Sequence, residues 1–221
     1  MKTIGIIGYR SEDGSVFGAG CNYLELISRF GKPLIIFPDE GLVHVDLLVL
    51  PGGLDIAPQS FGTVPTFKTS NQDVHKQFFF ENRLSLYIDA DIPIFGICLG
   101  FQMLAVYFGS VLEQHLWRHP QSANRSMAAH LVEPLPEAGR YAEQPFEVNS
   151  HHHQGVYLHG LSAELEPLAL AKDHPDSDQM LVEAFRHRQK PIMAVQWHPE
   201  EWYDGFSCMM INDLLSGYSA T

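Results

Sequence analysis

The stretch Ile92-Pro93-Ile94-Phe95-Gly96-Ile97-Cys98-Leu99-Gly100-Phe101-Gln102 opens a run from Ile92 to Leu112 of 21 residues without a charged side chain. A run of this length is long enough to cross a bilayer, but Pro93, Gly96, Gly100, Gln102 and Gly109 interrupt it. It reads instead as a strand, Ile92–Ile97, a sharp turn and a buried helix, Leu99–Phe108. A continuous apolar strand is expected where a parallel sheet is covered on both faces. The turn has the form Gly-x-Cys-x-Gly, a nucleophile elbow with Cys in place of Ser. Its glycines allow a close approach of backbones that a side chain would block. Cys98 would then stand at a helix N-terminus, where free N–H groups favour an anionic sulfur. A lone Cys98 would read first as a small buried hydrophobe, and the flanking glycines bring the two readings level.

Outward from this stretch the chain alternates apolar strands with helix-like segments, the pattern of βα units. Strands are predicted at Ile4–Tyr9, Pro33–Phe37 and Val45–Leu50, the last ending in Pro51-Gly52-Gly53, and helices at Gly20–Phe30 and Asp73–Asp89. The second half is richer in strands: Ser110–Leu112, Ala129–Val132, Phe146–Asn149, Glu166–Ala171, Leu181–Arg186 and Ile192–Trp197, before a final helix at Phe206–Leu215. Segments Pro58–Gln72 and Trp117–Ala128 read as long polar loops. No linker divides the chain, so the expectation is one α/β domain over 1–221, built on parallel βα units with additional strands in the C-terminal half.

Fourteen Lys and Arg against 26 Asp and Glu give 221 residues a formal charge of −12. That argues against nucleic acid as a direct partner, since phosphate binding needs a basic footprint. The start, MKTIGIIGYR, lacks the apolar core of a signal peptide, and nothing suggests a membrane segment. Three widely spaced cysteines, Cys21, Cys98 and Cys208, do not form a secreted disulfide framework. A reducing cytoplasm is the expected location.

The other chemical segment is Gln196-Trp197-His198-Pro199-Glu200. An extended backbone through Pro199 would put His198 and Glu200 on one side, giving a base and the carboxylate that orients it. Open α/β sheets gather functional groups at the carboxyl ends of their strands, where Cys98, His198 and the Gly52-Gly53 turn all fall. The Leu99 amide and a donor from that turn could hold an oxyanion. Among the three consecutive histidines, His151, His152 and His153, neighbours in an extended chain point oppositely and cannot all bind one ion. With no matching ligand spacing nearby, they read as a pocket loop, and no metal is expected. Asp55 either holds a substrate amine or caps a turn. Arg118, His119 and Arg125 sit in a polar loop, either solvated or receiving an anionic group.

Pro51-Gly52-Gly53, Gly96–Gln102 and Gln196–Glu200, in this order, resemble the class I glutamine amidotransferase-like superfamily along nearly the whole chain. The segments Pro51–Pro58 and Val148–Gly155, with Trp197, look like its gamma-glutamyl hydrolase branch, which includes the gamma-glutamyl-gamma-aminobutyrate hydrolases. Leu99 departs from those hydrolases, which often carry Arg after the nucleophile. The resemblance implies a mostly parallel, flavodoxin-like central sheet flanked by helices, and a cysteine enzyme with Cys98 as nucleophile, His198 as base and Glu200 as its orienter. It further implies an oxyanion hole from Leu99, Gly52 and Gly53, and substrate contacts from Gln102, Asn149, Ser150 and His151. Glutamine or a γ-glutamyl amine would be cleaved through a γ-glutamyl thioester without a cofactor. The implied partners are this small substrate and, for a chain that donates ammonia, a separate synthase protein; a homodimer is a further expectation. A redox-sensing relative with the same elbow is a further reading.

Overall fold

The computed structural model describes residues 1–10, 17–69 and 72–217. In chain order the strands are β1 (Thr3–Ile7), β2 (Tyr9–Arg10), β3 (Phe17–Gly18), β4 (Lys32–Ile36), β5 (Leu47–Leu50), β6 (Ile94–Ile97), β7 (His130–Pro134), β8 (Phe146–Val148), β9 (Leu165–Lys172), β10 (Met180–His187) and β11 (Ile192–Val195). The α-helices are α1 (Cys21–Ser28), α2 (Val74–Asn82), α3 (Leu84–Asp89), α4 (Leu99–Tyr107) and α5 (Gly205–Leu215). Nine strands form one sheet in the order β4-β1-β5-β6-β11-β10-β9-β7-β8, and β2 pairs β3 beside it. The pairs from β4 across to β11 are parallel, and those from β11 to β8 are antiparallel. The structure thus has the expected mostly parallel sheet with its C-terminal additions.

Strand alternation divides the core between two faces. Leu48, Leu50 and Ile94 pack with Phe79, Leu84, Tyr87 and Phe101 under α2, α3 and α4. Leu47, Val49, Phe95 and Ile97 pack with Leu26, Phe206, Met210 and Leu214 under α1 and α5. Both faces being covered explains the unbroken apolar run of β6, whose four residues are all buried. Among the described residues no helix is long and apolar enough to cross a membrane.

Three expectations are corrected. Ser110–Leu112 is not a strand: Val111 donates to the Gly160 carbonyl at 2.8 Å, and pairing there is limited to an isolated bridge between Glu113 and Gly155. Asp73–Asp89 is two helices rather than one, broken where Arg83 adopts φ −129°. Asp73 caps the first by accepting from the His75 and Lys76 amides at 3.0 and 3.2 Å. The strand predicted to run to Trp197 ends at Val195, and the following residues turn.

Pairing of β5 with β6 and of β6 with β11 brings the three ends that matter side by side. Leu50 stands opposite Gly96, and Ile97 opposite Val195. Gly96 and Gly100 make that closeness possible. A Cβ on Gly100 would collide with the Leu50 carbonyl, and one on Gly96 would lie 2.8 Å from the Gly100 carbonyl oxygen. Gly100→Ala is therefore expected to destabilise the chain by about 3 kcal/mol or more, because the obstacle is backbone in the central sheet. Urea denaturation measures it; a change below about 0.5 kcal/mol would show that α4 can shift away from β5.

Candidate active site

Cys98 sits between β6 and α4 with φ 50° and ψ −100°, a conformation L-residues rarely adopt. Its amide donates to the Val195 carbonyl and its carbonyl accepts from the Gln102 amide, both at 3.0 Å, so the elbow is pinned to β11 and to α4. The side chain is buried yet lines two cavities, of about 540 Å³ and about 220 Å³.

His198 reaches the same point from the end of β11. Its Nδ1 donates to Glu200 Oε1 at 2.7 Å, which leaves Nε2 as the nitrogen open to another partner. The two side chains meet because of a turn rather than extended backbone: the His198 carbonyl accepts from the Glu201 and Trp202 amides, both at 3.1 Å. Trp197 anchors this turn. Its ring is buried, and its Nε1 donates to Asp204 Oδ2 at 3.0 Å, beside the start of α5. Burial disfavours the charged form of His198, but the Cys98 sulfur and then the Glu200 carboxylate outweigh it and raise the pKa from 6.5 to about 10. The ring therefore carries a proton at neutral pH.

The sequence-predicted contact residues divide. His151 lines both cavities and Gln102 the smaller one, where its amide donates to the Gln154 carbonyl at 3.2 Å. Asn149 and Ser150 line neither. Asn149 is fully buried and clamps the His198 backbone, accepting from its amide at 2.9 Å and donating to its carbonyl at 3.0 Å. Ser150 is held to Ser122 through its amide at 2.8 Å and its carbonyl at 2.9 Å. The Gly52 amide, expected in the oxyanion hole, donates instead to Tyr23 Oη at 2.9 Å. The amides of Gly53 and Leu99 have no hydrogen-bond partner among the described residues. Asn149→Ala is expected to lower kcat about 10–100-fold by letting His198 drift and to cost about 2–4 kcal/mol through the orphaned backbone groups. Steady-state kinetics and thermal unfolding check both; an unchanged kcat would remove Asn149 from any positioning role.

Two residues escaped the sequence reading. Lys76, buried on α2, donates through Nζ to the Gly52 carbonyl at 2.6 Å and faces the larger cavity. Burial lowers its pKa, opposed by the charges of Asp73 and Cys98. Tyr23, on α1, joins the Gly52 amide to the Glu200 side: burial, and then the Glu200 carboxylate, raise its pKa well above the ordinary value and keep the phenol protonated. Neither had a local signal, since each reaches the site only when its helix packs against the sheet. Arg125 also lines the larger cavity, ion-paired to Glu201 at 3.4 Å. Asp55 holds His153 Nε2 at 2.9 Å, and that hydrogen bond, against burial, raises the pKa of His153.

An α/β fold whose parallel central strands bring a cysteine elbow against a His–Glu pair at neighbouring strand ends defines a cysteine hydrolase of the glutamine amidotransferase type. The chain belongs to the Peptidase C26 family, whose model matches residues 21–200. The glutamine amidotransferase-like protein YvdE of Lactococcus lactis is 31% identical over 228 residues, covering 90% of this chain and 91% of the relative. The gamma-glutamyl-CDP-amidate hydrolase of Campylobacter jejuni is 26% identical over 159 residues, covering 71% and 62%. The crystal structure of a glutamine amidotransferase from Thermotoga maritima shares the fold, with TM-score 0.55 and 16% identity, covering 90% of this chain and 76% of that one.

Proposed function

We propose that this chain hydrolyses γ-glutamyl amides whose leaving group is an amine larger than ammonia, through a thioester on Cys98. The observation that carries this reading is the placement of Cys98 between two unequal cavities. The smaller, about 220 Å³, holds Gln102, Asp55 and His153 and suits the glutamyl end, with an imidazole and a carboxylate to meet its carboxylate and ammonium. The larger, about 540 Å³, is in the size range of small-molecule sites. Ammonia would leave it almost empty, whereas an amine-bearing group would meet Tyr9, Tyr23 and Leu54 with Lys76 and Arg125.

In the proposed reaction the Cys98 sulfur attacks the γ-carbonyl, and the amides of Leu99 and Gly53 stabilise the oxyanion. Imidazolium His198 gives its proton to the departing nitrogen as the C–N bond breaks and the C–S bond remains. Acylation removes the sulfur's charge, the main influence raising the His198 pKa against burial. The ring then becomes a better base for the water that cleaves the thioester and releases glutamate. The overall charge of −12 would repel an anionic substrate, so Lys76 and Arg125 supply the local positive field.

The test is a panel of glutamine, γ-glutamyl amines and poly-γ-glutamates on the isolated chain. A γ-glutamyl amine is expected to show the highest kcat/KM. Glutamine turnover that is negligible until a synthase protein is added would favour the ammonia-donating reading and overturn this one.

A further inference from the structure

Behind the pocket wall lies a cluster that the proposed reaction does not use. His119, His130 and Glu183 each offer a ligand atom, and these atoms all lie within 4.8 Å of one another. His152 adds a fourth: its Nε2 is 4.0 Å from Glu183 Oε1, and its ring centroid is 4.7 Å from that of His119. Glu183 is fully buried on β10, and both of its carboxylate oxygens lack a hydrogen-bond partner among the described residues. The Nε2 atoms of His119, His130 and His152 lack one as well.

The tautomers are set by the outer partners. His119 Nδ1 lies 2.9 Å from the Asp173 carbonyl, and His152 Nδ1 lies 2.9 Å from the Gln154 carbonyl. A carbonyl only accepts, so each Nδ1 carries the proton and, in the neutral ring, Nε2 presents a lone pair. Two lone pairs would then face a buried carboxylate, acceptor against acceptor, while His130 Nε2 stands 3.6 Å from Glu183 Oε1, just beyond hydrogen-bond distance. A backbone-anchored Nδ1 with a free Nε2 is how metal-binding imidazoles are usually oriented. The loop also adopts an unfavourable conformation to bring His119 inward: Arg118, just before it, has φ 68°.

We propose that His119, His130, His152 and Glu183 bind one divalent transition-metal ion, with zinc favoured by three imidazoles and one carboxylate in a four-coordinate set. Zinc bonds of about 2.0–2.1 Å need the ligand atoms to draw in by about an ångström each, which side-chain rotation supplies. All four positions are filled by protein, so the ion is structural. It joins the loop at His119, strand β7 at His130, strand β10 at Glu183 and the segment carrying His151. Of the three adjacent histidines only His152 turns to the cluster. The expectation of no metal weighed those three together and the spacing around them, and so did not take in ligands brought from elsewhere in the chain.

The experiment uses tag-free full-length chain, stripped with a chelator and returned to zinc or cobalt(II) before desalting. Metal analysis should find about one zinc per chain. At a free concentration about a hundredfold above the dissociation constant, zinc should raise Tm by about 5–10 °C. The ion should persist in Cys98→Ala and be lost in His152→Gln and Glu183→Gln. Should those variants fail to fold, cobalt in the unmodified chain still decides: tetrahedral d–d bands without thiolate charge transfer support the site. Less than about a tenth of an equivalent of zinc with no thermal shift would overturn it. So would thiolate charge transfer, or loss of the metal in Cys98→Ala with retention in Glu183→Gln.

Discussion

Cys98→Ala is expected to lower γ-glutamyl amide hydrolysis by about 10⁴-fold or more while leaving the chain folded. The loss is large because, among the described residues, neither other cysteine borders the His198–Glu200 pair: Cys21 is exposed on α1 and Cys208 is buried on α5. Folding should survive because the elbow is held by backbone bonds to Val195 and Gln102 rather than by the sulfur. Cys98→Gly sharpens the experiment. At φ 50° a side chain is strained, so Gly should be equally inactive but about 1 kcal/mol more stable than Ala. Kinetics on a γ-glutamyl amine, paired with denaturant melts, measure both. Residual activity above about a hundredth of the original would remove Cys98 from covalent catalysis.

Glu200→Gln is the second large expected loss, about 10²–10⁴-fold in kcat/KM, by analogy with the orienting carboxylate of other triads. The amide keeps the shape but removes the charge that, after the Cys98 sulfur, favours the imidazolium. Two pH signatures follow. The pKa of His198 is raised from 6.5 to about 10 on folding, so the ring's stabilising contribution is complete below about pH 6.5 and is lost as pH climbs through about 10. In Glu200→Gln that alkaline loss should begin at lower pH, and the alkaline limb of kcat/KM should move the same way. An unshifted limb with full activity would show that Glu200 orients nothing.

The elbow was legible in the sequence because its constraint is local. Gly96 and Gly100 are needed where α4 passes Leu50, and an uncharged strand is needed where both faces are covered. The His198 turn was only half legible. The residues at 196–200 identified themselves, but the reason His198 meets Glu200 is the turn closed by Glu201 and Trp202. Asn149 was expected to contact substrate from the pocket loop, yet its hydrogen bonds face inward to the His198 backbone. Lys76 and Tyr23 left no trace, because helices from separate parts of the chain deliver them. The break at Arg83 was hidden for a related reason: residues on both sides of it favour helix, and Leu84 and Tyr87 must still reach the core.

The segment 151–153 sends three neighbouring imidazoles to three addresses. His151 borders the cavities beside Cys98, His152 enters the buried cluster around Glu183, and His153 pairs with Asp55. Its information therefore lies in phase rather than composition. Replacing one histidine edits one address, whereas deleting a residue moves each following imidazole to the wrong one, although the letters of the segment hardly change. Libraries built on this scaffold can vary what stands at each position, but not the number of positions.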